Sequence, residues 1–106
     1  MARVLINVPA NARPGEVIEI KALIAHPMET GYRTNSAGMT KPRDIITDFE
    51  CRFEGEVIFK MKFAAAIAAN PFISFFYRVA AAGILEFRWS GDHDFQAIEQ
   101  RRISLI

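Results

Sequence analysis

Hydrophobic and polar positions alternate in register for long stretches of this chain, and the alternation predicts β-strands. Val4, Ile6 and Val8 share one side, with Arg3, Leu5 and Asn7 on the other. The pattern resumes from Glu16 to His26, where Ile18, Ile20, Ala22 and Ile24 oppose Glu19 and Lys21. From Ile45 to Phe53 it is cleanest: Ile45, Thr47, Phe49, Cys51 and Phe53 against Asp48, Glu50 and Arg52. Glu54-Gly55 fits a two-residue hairpin turn. The return strand sets Val57, Phe59, Met61 and Phe63 on the apolar face, with Ile58 as an exception on the polar one. Gly83 to Trp89 alternates again, and Phe95 to Ile106 offers a last strand that bends near Gln100.

The breaks are as informative. Pro9 and Asn11 to Gly15 predict a turn with Pro14-Gly15 as its middle pair. Pro27 stops the second strand because it has no amide hydrogen to donate. After Gly31 the chain stays polar and rich in turn formers until Ile45. A loop of that length in a small domain usually has a task. Ala64 to Ala69 reads as a helical turn or crossover closed by Asn70-Pro71. Seven short strands separated by turn chemistry predict an all-β, two-sheet antiparallel sandwich, immunoglobulin-like in architecture but without the Cys…Trp…Cys spacing of a true immunoglobulin domain. With no repeat and no linker, residues 1–106 are expected to form one domain.

One strand departs from the pattern. In Phe72 to Val79 both faces are apolar, with Ile73, Phe75, Tyr77 and Val79 opposed to Phe72 and Phe76. One face can be core; the other must be covered by something else. Together with Met28 and Tyr32 in the long loop, Phe72 and Phe76 are the sort of groups that anchor a protein interface. The loop from His26 to Arg33 is expected to present a docking surface, not a catalytic centre.

Composition narrows the function classes. Net charge is +1 with the charges dispersed, so the basic stripe of a nucleic-acid binder is missing. No stretch approaches the ~20 apolar residues of a membrane span, and none resembles an export signal with its apolar run of about 7–15 residues. Cys51 is the single cysteine, in line with Phe49 and Phe53, where a thiol is inert and behaves as a small hydrophobe. His93 lies between Asp92 and Asp94 in a turn, a solvated position with no serine or cysteine beside it to activate. His26, Met28, Cys51 and His93 are the ligand types of a copper site, yet their spacing gives no tight ligand loop. No catalytic residue, cofactor or metal site is therefore assigned. The rival reading keeps a small redox or metal-binding sandwich protein that uses Cys51 and the histidines.

Several segments together resemble a known family. Ile24-Ala-His-Pro-Met-Glu-Thr-Gly31, Pro42-Arg43 before Ile45-Ile46, Phe53 to Phe59, Ile67-Ala-Ala-Asn-Pro71 and Gly83 to Trp89 resemble SoxZ, one half of the SoxYZ sulfur carrier complex of thiosulfate oxidation. The resemblance implies a non-catalytic β-sandwich subunit that pairs with a SoxY-like chain. In that family the sulfur intermediate rides on a cysteine at the end of the partner's flexible glycine-rich arm. It also implies transient meetings with other Sox enzymes, a periplasmic location reached by co-export with a signal-bearing partner, and self-association when alone. The tail Arg101 to Ile106 carries no Gly-Gly-Cys-Gly-Gly arm, which leaves the Z-like role to this chain.

Overall fold

The computed structural model describes residues 3–32, 34, 37–64 and 69–106. The strands are β1 (Val4–Asn7), β2 (Asn11–Ala12), β3 (Val17–Ile24), β4 (Ile46–Phe53), β5 (Glu56–Lys62), β6 (Phe72–Arg78), β7 (Gly83–Gly91) and β8 (Gln96–Leu105). They form a three-stranded sheet in the order β1-β3-β6 and a five-stranded sheet in the order β2-β8-β7-β4-β5. The chain passes repeatedly from one sheet to the other, and the inward-facing side chains of both meet in one core. Its overall extents are 59 × 21 × 20 Å, with a radius of gyration of 16.3 Å against about 13 Å for a compact chain of this size. An elongated body leaves more surface per residue than a round one.

Alternation decides what is buried. Ile18, Ile20, Ala22 and Ile24 of β3 lie beside Ile73 and Phe75 of β6 on the inner face of one sheet, and together they form the core with Phe49, Cys51, Leu85, Phe87, Trp89 and Ile103 of the other. Phe49 is the hub, with its ring centroid 5.0 Å from Trp89, 6.1 Å from Phe59 and 6.4 Å from both Phe75 and Phe87. Phe59 stacks on Phe75 at 4.2 Å and tips the two sheets together. Such a cluster gains both apolar burial and ring–ring contact.

The turns largely follow their chemistry. Glu16 N donates to Arg13 O, with Gly15 at φ 83°, the positive value that the third position of a type II turn needs. Glu54 and Gly55 are both at positive φ (49° and 84°), the signature of a type I′ hairpin.

Two expectations need correction. Asn11 and Ala12 are not simply turn: they run parallel to Ser104 and Leu105, with Ser104 N donating to Ala10 O and Ile106 N to Ala12 O. Two residues are too few to show a period, so this strand is silent in the sequence. Second, β5 bulges where the register shifts between Cys51 and Arg52: Cys51 lies opposite Phe59 but Arg52 opposite Val57. The extra residue, Ile58, turns toward the core and Val57 is left exposed. A bulge reverses the facing of every residue beyond it, which inverts the expected roles of Val57 and Ile58. β8 pairs with β7 in unbroken register from Gln96 to Ile103. The helical turn expected over Ala64 to Ala69 lies mostly outside the described residues.

Candidate functional site

The long connection between β3 and β4 leaves one sheet and enters the other, and its two limbs are fastened to each other and to the core. At its start, His26 N donates to Asn70 Oδ1 (2.9 Å) and Asn70 N returns a bond to His26 O (2.8 Å). Pro27 cannot donate, and Met28 follows at φ 51° with its amide turned back onto His26 Nδ1 at 3.0 Å. Glu29 and Asp44 exchange backbone bonds of 2.8 and 2.7 Å across the base of the loop. Met28 Sδ accepts the amide of Ile46 at 3.2 Å, so its side chain is the plug under the loop.

A second clamp lies beside the first. Asp92 accepts two hydrogen bonds from Arg43, each 2.8 Å, and a third from Ile45 N at 3.1 Å. Asp92 N in turn donates to Ile45 O, and the His93 ring nitrogen Nε2 lies 2.9 Å from Arg43 O. The Arg43 bonds, followed by the Ile45 amide, hold the Asp92 carboxyl below its ordinary range. Gly91 permits this closeness: a Cβ there would collide with the Ile45 carbonyl. Gly31, at φ 88°, is similarly pressed against Arg43, where a Cβ would come within 3.2 Å of the Arg43 Cβ.

His26 sits between these clamps. Its ring is edge-on to Phe95 at 4.8 Å, and Nε2 lies 3.7 Å from Asp44 Oδ1. Because Nδ1 accepts the Met28 amide, the neutral ring carries its proton on Nε2, toward Asp44. Burial lowers the pKa of the ring, against the opposing pull of Asp44 and then Asp92.

The docking residues expected from the sequence thus separate. Tyr32 is 84% exposed at the loop and Phe72 and Phe76 are 58% and 68% exposed on β6. His26 and Met28, by contrast, are 5% and 4% exposed. Both are turned inward, so, contrary to the expectation of a contact, a molecule resting on the loop meets neither side chain. The physical reason is local: Met28 fills the gap that the β3–β4 crossing opens, and His26 is needed as its hydrogen-bond acceptor.

Both exposed aromatics of β6 lie on the outer face of the three-stranded sheet. The register aligns Leu5, Leu23 and Phe72 across β1, β3 and β6; the next row on that face is Asn7, Lys21 and Ser74, and Phe76 lies opposite Glu19 in the row after it. Leu5 is 72% exposed and Leu23 partly so. This row is a set of greasy side chains on the outer face of the three-stranded sheet. The same face borders a hollow of about 480 Å³ lined by Leu5, Val8, Leu23 and Phe72 among others. Leu5 and Leu23 were not singled out from the sequence; their register opposite Phe72 is what identifies them.

Cys51 lies between Phe59 and Phe87 in the core, where burial pushes its thiol up to about 12. Among the described residues, no three His, Cys, Asp or Glu side chains are grouped to hold a metal ion. Cys51, His26 and His93 are therefore not brought together as a ligand set.

Two sheets with this strand order and inner face define an immunoglobulin-like β-sandwich, a class of fold that carries many functions. The chain covers 97% of its length on the superoxide reductase (neelaredoxin) of Ignicoccus hospitalis, with 80% of that protein covered, a TM-score of 0.72 and 14% identity. It likewise covers 97% of its length on the sulfur carrier protein SoxY of Chlorobium limicola f thiosulfatophilum, with 78% of that chain covered, a TM-score of 0.66 and 12% identity. Identities this low establish the fold alone. No curated protein sequence matches. The family model of the sulphur oxidation protein SoxZ matches residues 6–101, and the chain belongs to the SoxZ family. Membership implies a role in the Sox sulfur-oxidation system, a generally periplasmic system in which SoxZ proteins are generally non-catalytic carrier subunits and partner SoxY.

Proposed function

We propose that this chain is the scaffold half of a SoxYZ-type sulfur carrier heterodimer, holding a SoxY-like subunit by the outer face of its three-stranded sheet and helping to present the partner's sulfur-bearing arm to Sox enzymes. The observation that carries the reading is the exposed row Leu5–Leu23–Phe72, with Phe76 exposed two rows further along the same face. Large side chains left in water are the usual anchors of an interface, and each is worth roughly 1.5–3 kcal/mol when fully covered. The reactive groups point the same way. A thiol buried as deeply as Cys51 is a poor nucleophile, so the covalent sulfur chemistry belongs to the partner.

The long loop supplies the second half of the proposal. Tyr32 stands out from it, while His26, Met28, Arg43 and Asp92 hold its base in one shape. A rigid base under an exposed tip suits a surface that must meet several enzymes in turn, since less order has to be bought at each encounter. Tyr32 is then a contact for the visiting enzymes, and His26 and Met28 set its position from beneath. The assembly is proposed to work in the periplasm, after export with its signal-bearing partner.

The test is co-expression with a SoxY-like subunit that ends in a cysteine-bearing glycine-rich arm. Phe72→Asp and Phe76→Asp should each weaken co-purification strongly while leaving the separate chain folded. Retention of the pair at nanomolar concentration in both variants would remove the outer face from the interface.

A further inference from the structure

The charges on the outer face of the three-stranded sheet are nearly all of one sign. Ala25 N donates to Arg3 O, which carries the β1–β3 ladder one residue further and sets the exposed Arg3 on the side of Leu5. Beyond Arg3 come the row Leu5, Leu23 and Phe72, then Asn7, Lys21 and Ser74, then Glu19 and Phe76, and last Val17 and Arg78. Neighbouring rows on one face are about 7 Å apart, two residues of strand rise. Arg3 and Lys21 therefore bracket the apolar row, and Lys21 and Arg78 bracket Phe76.

Arg3, Lys21 and Arg78 thus share this face with a single carboxylate, Glu19. The excess of positive charge here is larger than the net +1 of the whole chain. Glu19 offsets little of it: one oxygen accepts from Ser74 Oγ at 2.8 Å, and the other lies 3.7 Å from Lys21 Nζ, beyond hydrogen-bond distance. Arg78 donates to the neutral carbonyl of Gly15 at 2.7 Å, which leaves its charge unbalanced. The five-stranded sheet is the contrast. On its outer face Lys62, Arg52 and Arg88 each have a carboxylate of their own, in Asp48, Glu50 and Glu86. Charges neutralised in place select no particular partner, whereas an apolar centre with a rim of one sign selects a partner of the other.

We infer that the SoxY-like subunit seated on this face presents an apolar centre rimmed by carboxylates, one of them placed to meet Lys21. The hollow of about 480 Å³ shows where: Leu5, Leu23 and Phe72 wall it, and Lys21 and Asn7 line it with donors. An apolar side chain of the partner fills the first part, and a carboxylate beside it accepts from the second. Coverage itself demands this acid. A subunit that dries Leu23 and Phe72 also dries Lys21 in the adjacent row, and a cation taken out of water without a counter-charge is strongly unfavourable. Arg3 and Arg78 lie at the two ends of the face, where rim charges act mainly on the rate of encounter. The inference rests on the proposed function, which makes this face the interface, and adds the sign and position of the partner's charges.

Stopped-flow association of the whole chain with a SoxY-like subunit is the test. Between about 0.02 and 0.3 M sodium chloride the rate should fall at least about tenfold, a series that needs no variant to fold. Lys21→Glu and Arg78→Glu should each slow association about threefold or more at low salt. Lys21→Glu should also speed dissociation, because it leaves the partner's carboxylate buried and unpaired. Lys60→Glu makes the same change in net charge on the outer face of the other sheet and should leave the rate close to that of the parent chain. Association indifferent to salt overturns the inference, as does equal slowing by Lys60→Glu, which would make net charge the cause. Hydrogen exchange slowed on β3 and β6 by phosphatidylglycerol vesicles and not by the subunit would overturn it too, by making an anionic lipid surface the occupant. Phe72→Asp separates the two readings. If it abolishes binding while Lys21→Glu and Arg78→Glu bind like the parent, the inference falls and the proposed function stands; if it binds like the parent, both fall.

Discussion

Phe75 and Phe76 are neighbours in the chain and have opposite surroundings: Phe75 stacks on Phe59 with ring centroids 4.2 Å apart, and Phe76 projects from the outer face of the same strand into water. The strand's pleat alone separates them. It follows that β6 serves the core with one face and exposes the other to water.

That division predicts unequal costs. Phe75→Ala should destabilise the lone chain by about 3–5 kcal/mol, the usual cost of emptying a buried phenylalanine site. Phe76→Asp should change it by no more than about 0.5 kcal/mol, as surface substitutions do. Urea denaturation of the two variants beside the parent chain measures both.

The base of the long loop depends on close backbone approach at Gly91. Gly91→Ala forces a Cβ against the Ile45 carbonyl and should cost about 1–3 kcal/mol, the range for overpacking. Asp92→Ala removes the acceptor shared by Arg43 and Ile45 and should lower the melting temperature by a smaller amount. Calorimetry of the two variants orders them, and Asp92→Ala should also speed amide exchange at Ile45.

Acidification should loosen the same region through His26. The folded chain holds its ring neutral, with a pKa below the ordinary 6.5, because burial penalises the charge. Below pH 6.5 the unfolded chain therefore binds more protons than the folded one, and stability falls as pH falls. Protonation would also put a hydrogen on Nδ1, where the Met28 amide needs an acceptor. Melting temperature measured from pH 7.5 downward should decline from near 6.5, and His26→Gln should lack that decline until the carboxylates titrate.

Cys51 should be silent toward thiol reagents in the native chain. Its thiol is buried among Phe49, Phe59 and Phe87, and a pKa of about 12 leaves almost no thiolate at neutral pH. A thiol-reactive dye should label the chain fully in guanidinium and hardly at all in buffer.

The strands were legible because alternation is a one-dimensional record of a two-faced sheet. It identified the inward set of β3 and β7 and, from Phe49 onward, the buried residues of β4, and it singled out β6 by having apolar residues on both faces; at the start of β4 a register irregularity between Ile46 and Asp48 buries Ile46 beside Ile45 and leaves Thr47 half-buried. It failed at Val57 and Ile58, where a bulge changes which residue faces in without changing composition. It failed at Asn11 and Ala12, too short to have a period. The docking residues divided for a related reason. His26 and Met28 look like exposed loop residues, and only the backbone reversal at Met28 shows that they fold inward. Likewise the apolar row needed cross-strand register, since Leu5, Leu23 and Phe72 are far apart in sequence.

The central claim is that the outer face of the three-stranded sheet is covered by a SoxY-like subunit. Titrating such a subunit into the chain and following hydrogen exchange and binding together tests it most directly. The claim predicts a one-to-one complex, slowed exchange confined to β1, β3, β6 and the loop tip, and loss of binding in Phe72→Asp and Phe76→Asp. Tight binding that survives both variants, with exchange slowed only on the five-stranded sheet, would contradict it.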